Sequence, residues 1–115
     1  MKVLIIEDEA PAAKKLSRYL HQYNAQTQVL ARLESVSAAV DWLLASQAQL
    51  DLILMDIHLS DGLALEIMQQ VKITKPVIFT TAYDEYAIDA FKLNSISYLL
   101  KPITYSALSE ALQKL

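Results

Sequence analysis

Three carboxylates and one ammonium follow directly on apolar runs, and together they are groups able to hold a hard divalent cation. Val3-Leu4-Ile5-Ile6 leads into Glu7-Asp8-Glu9, Leu52-Ile53-Leu54-Met55 ends at Asp56, and Ser97-Tyr98-Leu99-Leu100 ends at Lys101-Pro102. Runs of apolar residues this dense read as strands covered on both faces, the habit of a parallel sheet. In such sheets the carboxyl ends of the strands line the ligand crevice. Glu7, Asp8, Asp56 and Lys101 would then meet at one rim with a formal charge of −2, which a divalent cation neutralises.

The elements that must position these groups alternate between apolar runs and helix-period stretches, the pattern of repeated βα units. A first strand is predicted over Lys2–Glu7. Pro11 then sits in a first helical turn, and Ala13, Leu16, Leu20 and Tyr23 form one apolar stripe. Thr27–Leu33 is a weaker strand suited to the sheet edge, and Val36, Val40, Leu43 and Leu44 mark a second helix. Leu52–Asp56 is the most apolar strand and so the central one. Ser60-Asp61-Gly62 is a turn, with Asp61 the expected N-cap of a helix carrying Leu63, Ile67 and Val71.

A fourth strand is predicted over Pro76–Thr80, then a helix over Tyr83–Leu93 closed by Asn94. Ser97–Leu100 is the fifth strand. Thr104–Leu115 is the last helix, with Leu108, Ala111, Leu112 and Leu115 inward. Right-handed crossovers leave few topologies for such a chain. The expected fold is α/β, a flavodoxin-like (βα)5 three-layer sandwich whose parallel five-stranded sheet runs in the order 2-1-3-4-5.

Composition narrows the chemistry. The 115 residues suit one domain spanning 1–115, and 54% hydrophobic against 20% charged residues mark an ordered globule. Cysteine is absent, which removes disulfides, thiol catalysis and zinc thiolate sites. The single glycine, Gly62, removes the common nucleotide-binding loops, which need several. A formal charge of −3 argues against a nucleic-acid surface on this segment. No apolar stretch reaches the roughly 18–20 residues of a membrane span. Met1-Lys2-Val3 leads straight into a strand with no signal peptide, so a cytoplasmic setting with no membrane partner is expected.

Four short pieces resemble the receiver domain of bacterial response regulators, in order and on the right strand ends. They are Ile6-Glu7-Asp8-Glu9, Leu54-Met55-Asp56-Ile57, Phe79-Thr80-Thr81-Ala82 and Tyr98-Leu99-Leu100-Lys101-Pro102. Phe79 through Ala87 with Leu99-Leu100-Lys101-Pro102-Ile103 is similar to the LytTR-type subgroup. The resemblance implies that Asp56 is the phosphoacceptor and that Lys101 and Thr81 complete the catalytic set, with Thr80 the competing hydroxyl. It implies a Mg2+ cofactor on Asp8, Asp56 and the backbone carbonyl of His58, with Glu7 acting through a water. It implies Thr81 and Tyr98 as the switch pair and a cis Lys101–Pro102 bond. Where many receivers carry proline and glycine after the acceptor strand, Leu59-Ser60-Asp61-Gly62 keeps only the glycine.

The same resemblance implies a signalling role without enzymatic turnover. Phosphorylation of Asp56 by a sensor histidine kinase or a small phosphodonor would reshape the surface around 83–93, 97–100 and 104–115. That change would control homodimerisation or an output domain of LytTR type following Leu115 in a parent protein, so that DNA is reached only through that domain; no output domain lies in this chain. Other classes fit worse. A haloacid-dehalogenase-like phosphatase needs a second acid where His58 stands, and a Toprim-like nuclease fails at Asp56-Ile57-His58. A receiver-shaped interaction module that signals without phosphorylation is the remaining alternative.

Overall fold

The computed structural model describes residues 1–82 and 96–115. Five strands form one sheet: β1 (Lys2–Ile6), β2 (Gln28–Leu33), β3 (Leu52–Asp56), β4 (Val77–Thr81) and β5 (Ser97–Leu100). Every neighbouring pair is parallel, and the order is β2-β1-β3-β4-β5, as the alternating pattern predicts. β3 lies in the middle with all five of its residues buried. β2 and β5 are the edge strands, and the register of β2 to β1 slips between Val3 and Leu4.

Four described helices cover the faces: α1 (Ala10–Tyr23), α2 (Val36–Ser46), α3 (Ala64–Gln70) and α4 (Tyr105–Leu112). The period-two alternation of each strand divides its apolar residues between two cores. Leu4, Ile6, Met55 and Phe79 pack with Val40 and Leu43 of α2 and Ile67 of α3. Val3, Ile5, Leu54 and Ile78 pack with Leu16 and Leu20 of α1 and Leu108 of α4. Burying a side chain of this size contributes roughly 1.5–3 kcal/mol each, so both faces resist any change of register. The helix expected over Tyr83–Leu93, and its closure at Asn94, lie outside the described residues.

The second helix lies where Val36, Val40, Leu43 and Leu44 mark it, with Leu43 inward and Leu44 66% exposed, because adjacent helical positions diverge by about 100°. Two expectations are corrected. Leu115 is 50% exposed, since α4 ends at Leu112 and the stripe ends with it. Asp61 does not cap the helix that follows it. That helix begins at Ala64, and Glu66 Oε2 accepts from the Leu63 amide at 2.6 Å instead. The Asp61 carboxylate turns to the other neighbour and accepts from the Val36 and Ser37 amides at 2.8 and 3.4 Å, at the start of α2. Gly62 beside it has φ +156°, a backbone conformation that residues with a side chain rarely adopt.

Candidate functional site

The parallel ladder delivers the charged groups to one rim. β1 and β3 run side by side with Ile6 opposite Met55, so the residues just beyond, Glu7 and Asp56, emerge together. β4 aligns Thr80 with Asp56, and β5 aligns Leu99 with Thr80, which carries Lys101 past the end of the sheet. The Lys101 amide donates to the Thr81 carbonyl at 2.7 Å and pins the start of the following turn. The Lys101–Pro102 peptide is cis, as the motif implied.

Lys101 Nζ is the hub. It lies 2.6 Å from Glu7 Oε1, 2.9 Å from Asp56 Oδ2 and 3.6 Å from Glu9 Oε1. Glu7, Asp8 and Asp56 each offer a carboxylate oxygen, and these oxygens lie within 4.8 Å of one another. Asp56 Oδ1 accepts from the His58 amide at 3.1 Å, which leaves both of its oxygens engaged. Glu7 Oε2 accepts from the Glu9 amide at 3.2 Å. A cleft of about 320 Å³ opens beside these groups, lined by Asp8, Glu9, Asp56, His58, Leu59, Ala82 and Lys101. A second, of about 400 Å³, lies between the start of α1 and the Lys101-Pro102-Ile103 turn.

The charges perturb one another strongly. Glu7 is fully buried, and that burial pushes its carboxyl up to about 7 from an ordinary 4.5, aided by the nearby Asp56 and opposed by Lys101. Burial pulls the Lys101 ammonium downward, yet its hydrogen bonds to Glu7 and Asp56 and their negative charges outweigh that, and its pKa is raised. Lys101 therefore stays protonated throughout the accessible pH range. Three convergent carboxylates with a cleft beside them are a hard-oxygen donor set, which fits Mg2+ better than softer metals.

The other sequence-derived residues are placed as follows. Thr80 and Thr81 are both buried, and among the described residues Thr80 Oγ1 has no hydrogen-bond partner. Alternation along the paired strands sets Thr81 on the same sheet face as Phe79, and Phe79 is directly opposite Tyr98. Thr81 and Tyr98 are thus diagonal neighbours on that face. Thr80 shares its row with Asp56. His58 lines the cleft and forms a short hairpin, pairing with Leu63. Trp42 packs against the α2–α3 core, and the exposed His21 places Nδ1 2.8 Å from the Ser17 carbonyl oxygen.

Arg32 was not singled out by its sequence context. Its guanidinium donates to the carbonyls of Glu7 and Asp8, both at 3.3 Å, and pairs with Glu34 at 2.9 Å. A lone basic residue on an edge strand gives no local sign of this reach.

With that geometry in hand, comparison with known proteins is direct. The profile of the response regulator receiver domain family matches residues 3–113. The sensory transduction protein LytT of Bacillus cereus is 32% identical over 117 residues, covering 99% of this chain and 46% of the relative. The transcriptional regulatory protein LytR of Staphylococcus aureus is 34% identical over 117 residues, with the same coverage of 99% and 46%. The chain spans about half the length of the curated relatives it matches. Among solved structures, the response regulatory domain of mrkE from Klebsiella pneumoniae has a TM-score of 0.83 at 30% identity, covering 100% of this chain and 94% of that one. A receiver domain from Clostridium thermocellum has a TM-score of 0.80 at 26% identity, covering 97% and 90%.

Proposed function

The chain belongs to the response regulator receiver domain family, and from that premise we propose that it accepts a phosphoryl group on Asp56. Domains of this family work with histidine kinases in two-component signalling. The observation that supports the acceptor assignment best is the position of Lys101 Nζ, 2.9 Å from Asp56 Oδ2 and 2.6 Å from Glu7. A fixed positive charge there stands where negative charge gathers when a carboxylate meets a phosphoryl group.

A carboxylate oxygen of Asp56 forms the new O–P bond while the P–N bond to a kinase phosphohistidine breaks, and the imidazole leaves with the electron pair. With acetyl phosphate the leaving group is acetate. Lys101 exchanges its contact with Asp56 Oδ2 for a phosphoryl oxygen. The Thr81 hydroxyl donates to another, with Thr80 the rival donor, and Tyr98 moves toward the space Thr81 leaves. Asp8, Asp56, the His58 carbonyl and, through a water, Glu7 are the groups to hold Mg2+, which when bound neutralises charge on both reacting partners. Asp56 is consumed once per transfer, so the chain is read as a stoichiometric acceptor and not as an enzyme.

The added group brings roughly −1.5 to −2 charges at neutral pH. Couplings between such a site and a remote surface amount to about 1–3 kcal/mol. That is enough to shift homodimerisation through the surface around 83–93, β5 and α4, or to bias an output domain following Leu115. We read that output domain as one of LytTR type that contacts DNA on the chain's behalf; a relative named as a transcriptional regulatory protein, of which this chain covers 46%, supports that reading. The exchange is placed in the cytoplasm, where phosphohistidine donors are made. Among the described residues no helix is long and apolar enough to cross a membrane.

The test is intact-mass measurement after incubation with acetyl phosphate and Mg2+, followed by light scattering of the labelled sample. Wild type is expected to gain one acid-labile phosphoryl group, with none in EDTA and none in Asp56→Asn. Equal labelling of Asp56→Asn would refute the acceptor assignment. A wild type that takes up no phosphoryl group would favour the phosphate-independent interaction module.

A further inference from the structure

The loop that carries Glu7 and Asp8 sets both acids against Asp56, and such an arrangement repels itself. Glu7 is held by Lys101, and its own amide continues the β1–β2 ladder, donating to the Leu33 carbonyl at 2.9 Å. Asp8 is only partly buried, and turning its side chain toward solvent would relieve the repulsion. What opposes that turn comes from the edge strand β2. Arg32 stands opposite Ile5 in the ladder, and its side chain reaches along the strand toward the carboxyl end. Nε donates to the Glu7 carbonyl and Nη2 to the Asp8 carbonyl, both at 3.3 Å. The carboxylate of Glu34 lies 2.9 Å from the same Nη2 and helps hold the guanidinium.

A planar guanidinium that grips two consecutive carbonyls fixes the peptide planes on both sides of Asp8, because its donors form a rigid fork. Fixing those planes fixes the Cα–Cβ bond of Asp8, and so which rotamers bring its carboxylate within reach of Asp56. We propose that Arg32 is a positioning residue for the acidic site, holding the backbone of Glu7 and Asp8 so that the Asp8 carboxylate stays aimed at Asp56. Arg32 acts through the loop and touches neither the cation nor the phosphoryl group. The inference rests on Glu7, Asp8 and Asp56 being the Mg2+ site.

The experiment is a Mg2+ titration of the whole chain by NMR, following the backbone amides of Asp8 and Asp56, in wild type, Arg32→Met and Arg32→Lys. Thermal unfolding of each in EDTA is measured alongside. Arg32→Met is expected to weaken Mg2+ binding by about tenfold, the lower end of the loss seen when a group supporting a ligand is removed. Arg32→Lys is expected to fall between the two, since one ammonium can replace part of the grip but not the fork. An Arg32→Met protein that is folded yet binds Mg2+ as wild type does would overturn the brace, and any change in melting temperature alone would assign Arg32 a purely stabilising role. If Arg32→Met does not fold, an unchanged affinity in Arg32→Lys overturns it equally. Wild type that shows no Mg2+ binding would overturn the site itself, and the brace with it.

Discussion

Glu7 is a fully buried acid whose nearest opposite charge is shared with Asp56, and this makes it expensive in the absence of a cation. Burial raises its carboxyl to about 7 from 4.5, so the folded chain binds that proton more tightly than the unfolded one. The stability that goes with the proton is fully present below 4.5 and is lost as pH rises through about 7. In EDTA, the unfolding free energy of wild type is therefore expected to fall across that window relative to Glu7→Gln, which stays neutral. The gap above the window should be about 1–3 kcal/mol in favour of Glu7→Gln, and it should close in acid. Urea denaturation at several pH values measures it, and parallel profiles for the two proteins would remove the burial argument. The site thus trades metal-free stability for a concentrated negative charge, as functional clusters commonly do.

At the scale of elements, the loop after the acceptor strand is tied to a helix far from it in sequence. Asp61 caps α2 from outside, and the Val36 amide, then the Ser37 amide, hold its carboxyl below its ordinary 3.8. A lowered folded-state pKa means stability present above 3.8 and lost as pH falls through the folded value. Asp61→Ala is expected to melt below wild type at neutral pH, with the difference shrinking in strong acid. Melting curves at the two pH extremes decide it, and a difference that persists unchanged in acid would mean that the charge is not the cause.

This contact also marks where the sequence stops being readable. The strands, their order and the rim residues Glu7, Asp8, Asp56 and Lys101 follow from apolar runs that end in charges, a local signal. The Asp61 bond spans about 25 residues, and from the chain alone the aspartate before Gly62 looks like a cap for the next helix. Leu115 was misassigned for a related reason: it extends an apolar stripe by a position that the helix end removes from the core. Arg32 was invisible because a long side chain reaching back to carbonyls leaves no trace in periodicity.

Across the whole molecule, two cores clamp a sheet whose central strand ends in Asp56, so the proposed acceptor is held by a deeply packed part of the chain. The groups that would read its state are laid out along the neighbouring strand ends. Thr81 and Tyr98 share a face, and Lys101 is bonded through its amide to Thr81. A change at Asp56 therefore has a short covalent and hydrogen-bonded route to β5 and α4.

The most direct measurement is to locate the phosphoryl group within the chain. Protein labelled with acetyl phosphate and Mg2+ is reduced with borohydride, which converts an aspartyl phosphate into a stable product, then digested and sequenced by tandem mass spectrometry. The predicted result is a single modified position, Asp56, that disappears when Mg2+ is withheld. A modification at Asp8, Glu7 or His58 with Asp56 untouched would contradict the acceptor assignment on which everything else here is built.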